Sequence, residues 1–115
     1  MSQSTIHLWL DDERDPALPF IQEQFGADGS ETWVKTVDEA LSYLNQDVVV
    51  SISFDHDLGD GLATGYELAK IIEEKAFKNE IGPLQWRVHS ANPKGANDIT
   101  AAMTSAERFW ARSGE

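Results

Sequence analysis

The sequence predicts an α/β architecture: a short, mostly parallel sheet of four strands with helices on both faces. Three observations lead there. Short β-prone apolar runs alternate with segments of helical periodicity along the whole chain, in the order β, short α, β, α, β, α, β, α. Two of the helical segments open on the same Thr-x-x-Glu capping signature, at Thr36 and at Thr64. The run "VVVSISF" (48–54) is rich in β-branched residues and apolar on both faces, as a central strand of a parallel sheet should be. Strands that alternate with helices form right-handed βαβ crossovers, which cover both faces of the sheet.

Taken in order, "TIHLWL" (5–10) is the first strand and stops at "DDERDP", where Pro16 and Pro19 discourage an immediate long helix. A short helix fits "PFIQEQFG", with Gly26 as its stop. "ETWVKT" is the second strand. Thr36 caps the helix "VDEALSYLNQ", whose Val37, Ala40, Leu41 and Leu44 recur at helical spacing. "VVVSISF" follows and runs directly into "DHDLGDG". "TGYELAKIIEEKA" is the third helix, with Leu68, Ile71 and Ile72 as its apolar stripe, and "LQWRVHS" is the fourth strand. A last helix from about Asn97 to Arg112 carries Ile99, Ala102, Met103, Ala106, Phe109 and Trp110 along one side. With no internal repeat or long linker, the chain reads as one domain over residues 1–115.

Composition narrows the function classes. Twenty acidic against nine basic residues give a formal net charge of −11. Such a surface repels a nucleic-acid backbone, so general duplex binding is not expected, and an anionic ligand calls for a mediating cation. The absence of cysteine removes disulfides, thiolate metal sites and a cysteine nucleophile. No apolar run is long enough to span a membrane and the N-terminus has no secretory pattern, so a cytoplasmic location is expected. Trp9, Trp33, Trp86 and Trp110 are candidates for an aromatic homodimer surface, although the spacing of Trp86 and Trp110 favours core.

Parallel strands end on one edge, and ligands of such sheets bind outside those carboxyl ends. Asp11, Asp12 and Arg14 follow the first strand; Asp55, His56 and Asp57 follow the third; His89, Ser90 and Asn92 follow the fourth. In the flavodoxin-like strand order 2-1-3-4 the first and third strands are neighbours, with ends only about 5 Å apart. Up to four carboxylates then converge. Like charges so close raise one another's pKa unless a cation sits among them, and oxygen ligands suit Mg²⁺ or Mn²⁺. His56 or His89 would tilt the choice toward Mn²⁺ or another transition metal.

The stretches "LDDER", "SFDHD" and "TGYEL" resemble the receiver domains of two-component signalling. That resemblance implies a three-layer receiver-like fold in which acids after the first and third strands hold Mg²⁺ and the latter takes a phosphoryl group. Asp57 stands eight residues before Gly65, the receiver spacing, and Asp55 directly behind the apolar run is the other candidate. The departures are informative: the fifth strand and the lysine that follows it in receivers have no counterpart here, while His56, His89 and Asn92 are additions. The whole set, "LDDERDP", "FDHDLG", "TGYELA" and "VHSANPKG", is similar to the cyclic-phosphate-processing receiver-like family. This likeness implies handling of a cyclic phosphate in RNA-repair or nucleotide-processing contexts of bacteria and their phages.

The function expected from these readings is a metal-dependent phosphoesterase acting on a cyclic phosphate, either of a nucleotide or of an RNA end. Asp11, Asp12 and Asp55 or Asp57 would hold the cation. His56 and His89, with ordinary pKa values near neutrality, would exchange protons with water and the leaving oxygen. Arg14 offers a planar fork for phosphate, with Thr64, Ser90, Asn92 and Lys94 as further contacts. A covalent aspartyl-phosphate at Asp55 or Asp57 is the variant of this chemistry. The rival from another class is a degenerate receiver that binds a cyclic nucleotide or a protein partner without turnover.

Overall fold

A computed structural model describes residues 6–46, 48–59, 61, 63–90 and 92–113. Four strands, β1 (Ile6–Leu10), β2 (Thr32–Val34), β3 (Val49–Phe54) and β4 (Gln85–Val88), alternate with four helices, α1 (Pro19–Phe25), α2 (Val37–Leu44), α3 (Gly65–Phe77) and α4 (Pro93–Ser113). The strands are parallel and ordered β2-β1-β3-β4, as the sequence predicts. Thr5, expected to open the first strand, lies outside the described residues.

Several boundaries differ from expectation: β4 is four residues long against the seven of "LQWRVHS", α2 ends at Leu44, and two further differences have a local reason. β2 is only three residues long, because the chain turns toward the Thr36 cap immediately after Val34. α4 begins at Pro93 rather than near Asn97. Proline suits the first helical position, where its missing N–H costs nothing, and the Asn92 side-chain oxygen accepts from Gly95 N at 3.0 Å to close the first turn. The two capping signatures also separate. Thr64 and Glu67 make the full reciprocal box, whereas Thr36 accepts from Glu39 N but the Glu39 carboxylate reaches back to Lys35 N instead.

Side chains alternate across a strand, and here the alternation sorts two kinds of residue. One sheet face carries Leu8, Leu10, Val34, Ile52 and Phe54. These pack against α2, α3 and α4 in the main core, joined by Leu68, Ile72, Ile99, Met103 and Trp110. The other face carries Trp9 with Trp33, packed under Ile21 and Phe25 of the short α1, together with Ser51, Ser53, Gln85 and Arg87. β3 is therefore not apolar on both faces: its serines share the polar side. Trp9 and Trp110 are buried and Trp33 and Trp86 half-buried, so the four tryptophans do not form an exposed aromatic face. Among the described residues, no helix is long and apolar enough to cross a membrane.

The fold brings three strand ends together. β1 pairs with β3 through Leu10↔Phe54, and β3 with β4 through Phe54↔Val88. The ladder continues one residue further, with Asp55 N donating to Leu10 O at 2.9 Å and His89 N to Phe54 O at 2.9 Å. Asp11, Asp55 and His89 thus leave their strands level with one another and on the Trp9 face.

Candidate functional site

The buried centre of this edge is Asp11. Its side chain is fully enclosed and takes four hydrogen bonds: Glu13 N (2.8 Å) and Arg14 N (3.0 Å) on Oδ1, Arg14 Nη1 (3.1 Å) and His89 Nε2 (3.0 Å) on Oδ2. Burial by itself would raise its pKa, but the donors, His89 foremost, bring the carboxyl down to about 2. Asp55 is also buried yet is poorly compensated. Desolvation and the neighbouring Asp11 charge push it up to about 6, against partial relief from Arg14, His56 N and Ser90. Arg14 bridges the pair, with Nη1 3.6 Å from Asp55 Oδ2. Its guanidinium rests on the Phe25 ring, 4.3 Å from the centroid.

Asp12 completes the group. Asp11, Asp12 and Asp55 each offer an oxygen such that the three lie within 4.8 Å of one another, an arrangement that could hold a metal ion. Asp57 is not among them. The chain leaves the extended conformation after Phe54, so strand alternation no longer governs where Asp57 points. Its side chain is 70% exposed, and its carboxylate accepts from His56 Nδ1 at 2.9 Å. That hydrogen bond holds the Asp57 carboxyl below the ordinary range.

The expected site residues fall into three groups. Asp12, Arg14, Asp55, Asp57, Thr64, Ser90 and Asn92 line one open cavity of about 480 Å³. Asp11 lies beneath it, while His89, His56 and Lys94 are off it. Lys94 is exposed and paired with Asp98 at 3.1 Å along α4. His56 packs its ring against Gly95: a Cβ there would stand 2.3 Å from His56 Cγ, so the start of α4 needs a glycine. Gly65 has the same logic at α3, where a Cβ would lie 1.9 Å from the Asp55 carbonyl oxygen. The "TGYEL" glycine is thus a close-approach residue that lets the helix start dock on the acidic strand end.

His89 differs most from expectation. Its side chain is 1% exposed, its ring stacks on Trp9 at 3.8 Å with an interplanar angle of 8°, and Phe25 meets it edge-on. Nδ1 pairs with Ser53 Oγ at 2.7 Å and Nε2 with Asp11. Burial holds it below the ordinary imidazole pKa, against the pull of Asp11. With Asp11 ionised, the consistent assignment is Nε2–H donating to Asp11 and Ser53 O–H donating to Nδ1. Both nitrogens are engaged, so the ring in this conformation has no nitrogen to offer a ligand.

Three contributors are not among the site residues expected from the sequence: Glu13, which lines the cavity, Ser53, and Trp9, a candidate there for a dimer surface; the last two hold His89. A signal for the last two was present. Each stands two residues before a strand-end aspartate, Asp11 or Asp55, and therefore on the same sheet face.

Comparison with known proteins adds one finding. No curated protein and no solved structure matches the chain. Residues 6–105 match the family model described as the cyclic-phosphate processing receiver domain, a span that includes both acidic strand ends, the Thr64 helix start and the His89 to Asn92 segment. By fold, site and family model, the chain belongs to the cyclic-phosphate processing receiver domain family.

Proposed function

We propose that the cavity binds a cyclic phosphodiester, of a nucleotide or an RNA end, and opens it by hydrolysis with a divalent cation, Mg²⁺ or Mn²⁺. The observation that carries this reading is the convergence of Asp11, Asp12 and Asp55 beside Arg14, at a cavity in a chain of this family. Three oxygen donors without sulfur or imidazole suit a hard cation, and a single guanidinium does not balance three carboxylates. The volume of about 480 Å³ is in the range usual for small-ligand sites, roughly 300–1,000 Å³.

Asp11, Asp12 and Asp55 are the ligands in this reading. A divalent cation held there would supply Lewis-acid polarisation of the phosphate and a lowered pKa for attacking water. The chain's own groups do the rest. Arg14 grips phosphate oxygens through the planar fork of its guanidinium. Asn92 Nδ2, held by Asp57 only at 3.5 Å, and the hydroxyls of Ser90 and Thr64 orient the ligand from the walls. Asp57, exposed on the cavity wall and steadied by His56, accepts a proton from water as the water oxygen bonds to phosphorus. One ring P–O bond breaks, its oxygen takes a proton from solvent and Asp57 returns to solvent the proton it accepted, so one water consumed gives one hydroxyl and one phosphomonoester. His89 acts through Asp11: its Nε2–H donates to the Asp11 carboxylate and fixes its orientation, and hydrogen bonds to a ligating carboxylate tune a metal site.

A second reading is favoured by the histidines. Neither imidazole lines the cavity, which suits a domain that binds a cyclic phosphate without turning it over. Phosphorus NMR of the purified protein with 2',3'-cyclic nucleotides and cyclic oligonucleotides, in Mg²⁺ or Mn²⁺, separates the two. Hydrolysis predicts a monoester resonance that disappears with Asp55→Ala and with removal of the cation by chelator. Saturable binding with an unchanged cyclic resonance across the panel would overturn hydrolysis in favour of binding alone.

A further inference from the structure

We infer that Arg14 is a built-in stand-in for the cation: guanidinium and cation compete for Asp11 and Asp55, and cation entry releases Arg14 to grip the phosphate. This rests on the cation reading above and adds an order of events to it.

Asp11 is saturated with hydrogen-bond donors. A carboxylate offers about four lone-pair sites, and Asp11 has all four occupied by Glu13 N, Arg14 N, Arg14 Nη1 and His89 Nε2. Three of those donors cannot leave. Two are backbone N–H groups of the turn after β1, and the third is an imidazole clamped between Ser53 and Trp9 in the interior. The Arg14 side chain is different. It is 27% exposed, and apart from the two carboxylates it touches the Phe25 ring. A cation that takes an Asp11 oxygen must therefore displace Nη1, and the same nitrogen is the one facing Asp55 at 3.6 Å. Charge drives the exchange the same way, since a divalent ion and a guanidinium a few ångströms apart repel.

The released side chain has a fixed root. Arg14 N stays bonded to Asp11 Oδ1, and Arg14 O accepts from Trp9 Nε1 at 3.0 Å. The guanidinium swings from that root within the cavity it already lines, where a phosphate oxygen replaces the carboxylates it has lost. Cation and phosphate then bind with positive coupling, each strengthening the other by the same factor.

The test is Mn²⁺ binding to the full chain, read by electron paramagnetic resonance with and without inorganic phosphate. Without phosphate, Arg14→Gln should bind Mn²⁺ roughly tenfold or more tighter than wild type, because a competing charge has gone, while Arg14→Lys should not. Phosphate should tighten Mn²⁺ binding to wild type and leave Arg14→Gln unaffected. Equal or weaker Mn²⁺ binding by a folded Arg14→Gln overturns the inference. Should that variant not fold, nitrogen NMR of the wild-type arginine side chains decides. Mg²⁺ must shift the Arg14 Nε–H signal, identified by its loss in Arg14→Lys, and an unmoved signal refutes the competition. Failure of the underlying cation reading is separately visible as no Mn²⁺ binding by wild type at all.

Discussion

The two faces of the sheet are built from the same three strand ends but to opposite purposes. On one, Leu10, Ile52 and Phe54 are enclosed by three helices in the apolar core. On the other, Trp9, Ser53 and His89 form a buried polar stack leading to Asp11 and Asp55, under the seven-residue helix α1. The two-residue period of a strand lets neighbouring positions serve these ends independently: Phe54 anchors the core while Ser53 and Asp55, on either side of it, face the site. The polar face keeps its buried groups only because each has a partner; the described residues include no buried side-chain N or O atom without one.

If that division of labour holds, substitutions on the two faces should fail differently. The largest effect belongs to the core face. Phe54→Ala should lower unfolding free energy by about 3–5 kcal/mol in denaturant melts, while the folded fraction keeps its cation affinity. A folded Phe54→Ala protein that loses cation binding would break the division.

Asp55→Asn should move stability the other way. The folded state holds the Asp55 proton up to about 6, above the ordinary 3.8, so the wild-type cation-free protein loses stability as pH rises from about 4 through about 6. Asparagine has no proton to lose. The variant should therefore be more stable than wild type at neutral pH, by about 2–3 kcal/mol, and less able to bind a cation. Equal melting of the two proteins at pH 7 and pH 4 would show that Asp55 is not under this strain.

Ser53→Ala comes next. It leaves His89 Nδ1 without its donor, two contacts removed from Asp11, and should weaken cation binding by less than about tenfold by calorimetry, below the usual cost of losing a group bonded directly to a ligand. The smallest effect is expected at Lys94. Its ion pair with Asp98 is solvent-exposed and worth less than about 0.5 kcal/mol, and Lys94→Ala should leave phosphate binding unchanged. A large loss of phosphate affinity there would mean that the start of α4 closes over the ligand.

Which parts of this were legible in the sequence follows from what each signal encodes. Alternation of strand and helix, with the caps at Thr36 and Thr64, encodes topology, and the sheet order and both helix starts agree with it. The strand-end rule encodes position along the sheet, and Asp11, Asp12, Arg14, Asp55, Ser90 and Asn92 do converge. Orientation beyond a strand end is not encoded in this way. Asp55 and Asp57 have the same parity, yet once the backbone leaves the ladder one turns inward and the other outward. Burial of a histidine by an aromatic neighbour is equally hidden, since Trp9 and His89 are eighty residues apart in sequence and meet only because β1 and β4 flank β3. The early start of α4 depends on Asn92 and Pro93 acting together, where proline read alone suggests a break.

Asp11, Asp12 and Asp55, on the polar face, are the proposed cation site. Anomalous diffraction from crystals soaked in Mn²⁺ tests it most directly. A single strong peak is expected within coordination distance of all three carboxylates, with Asp57 outside that distance. A peak on Asp57 instead, or none at the three carboxylates at saturating Mn²⁺, would contradict it.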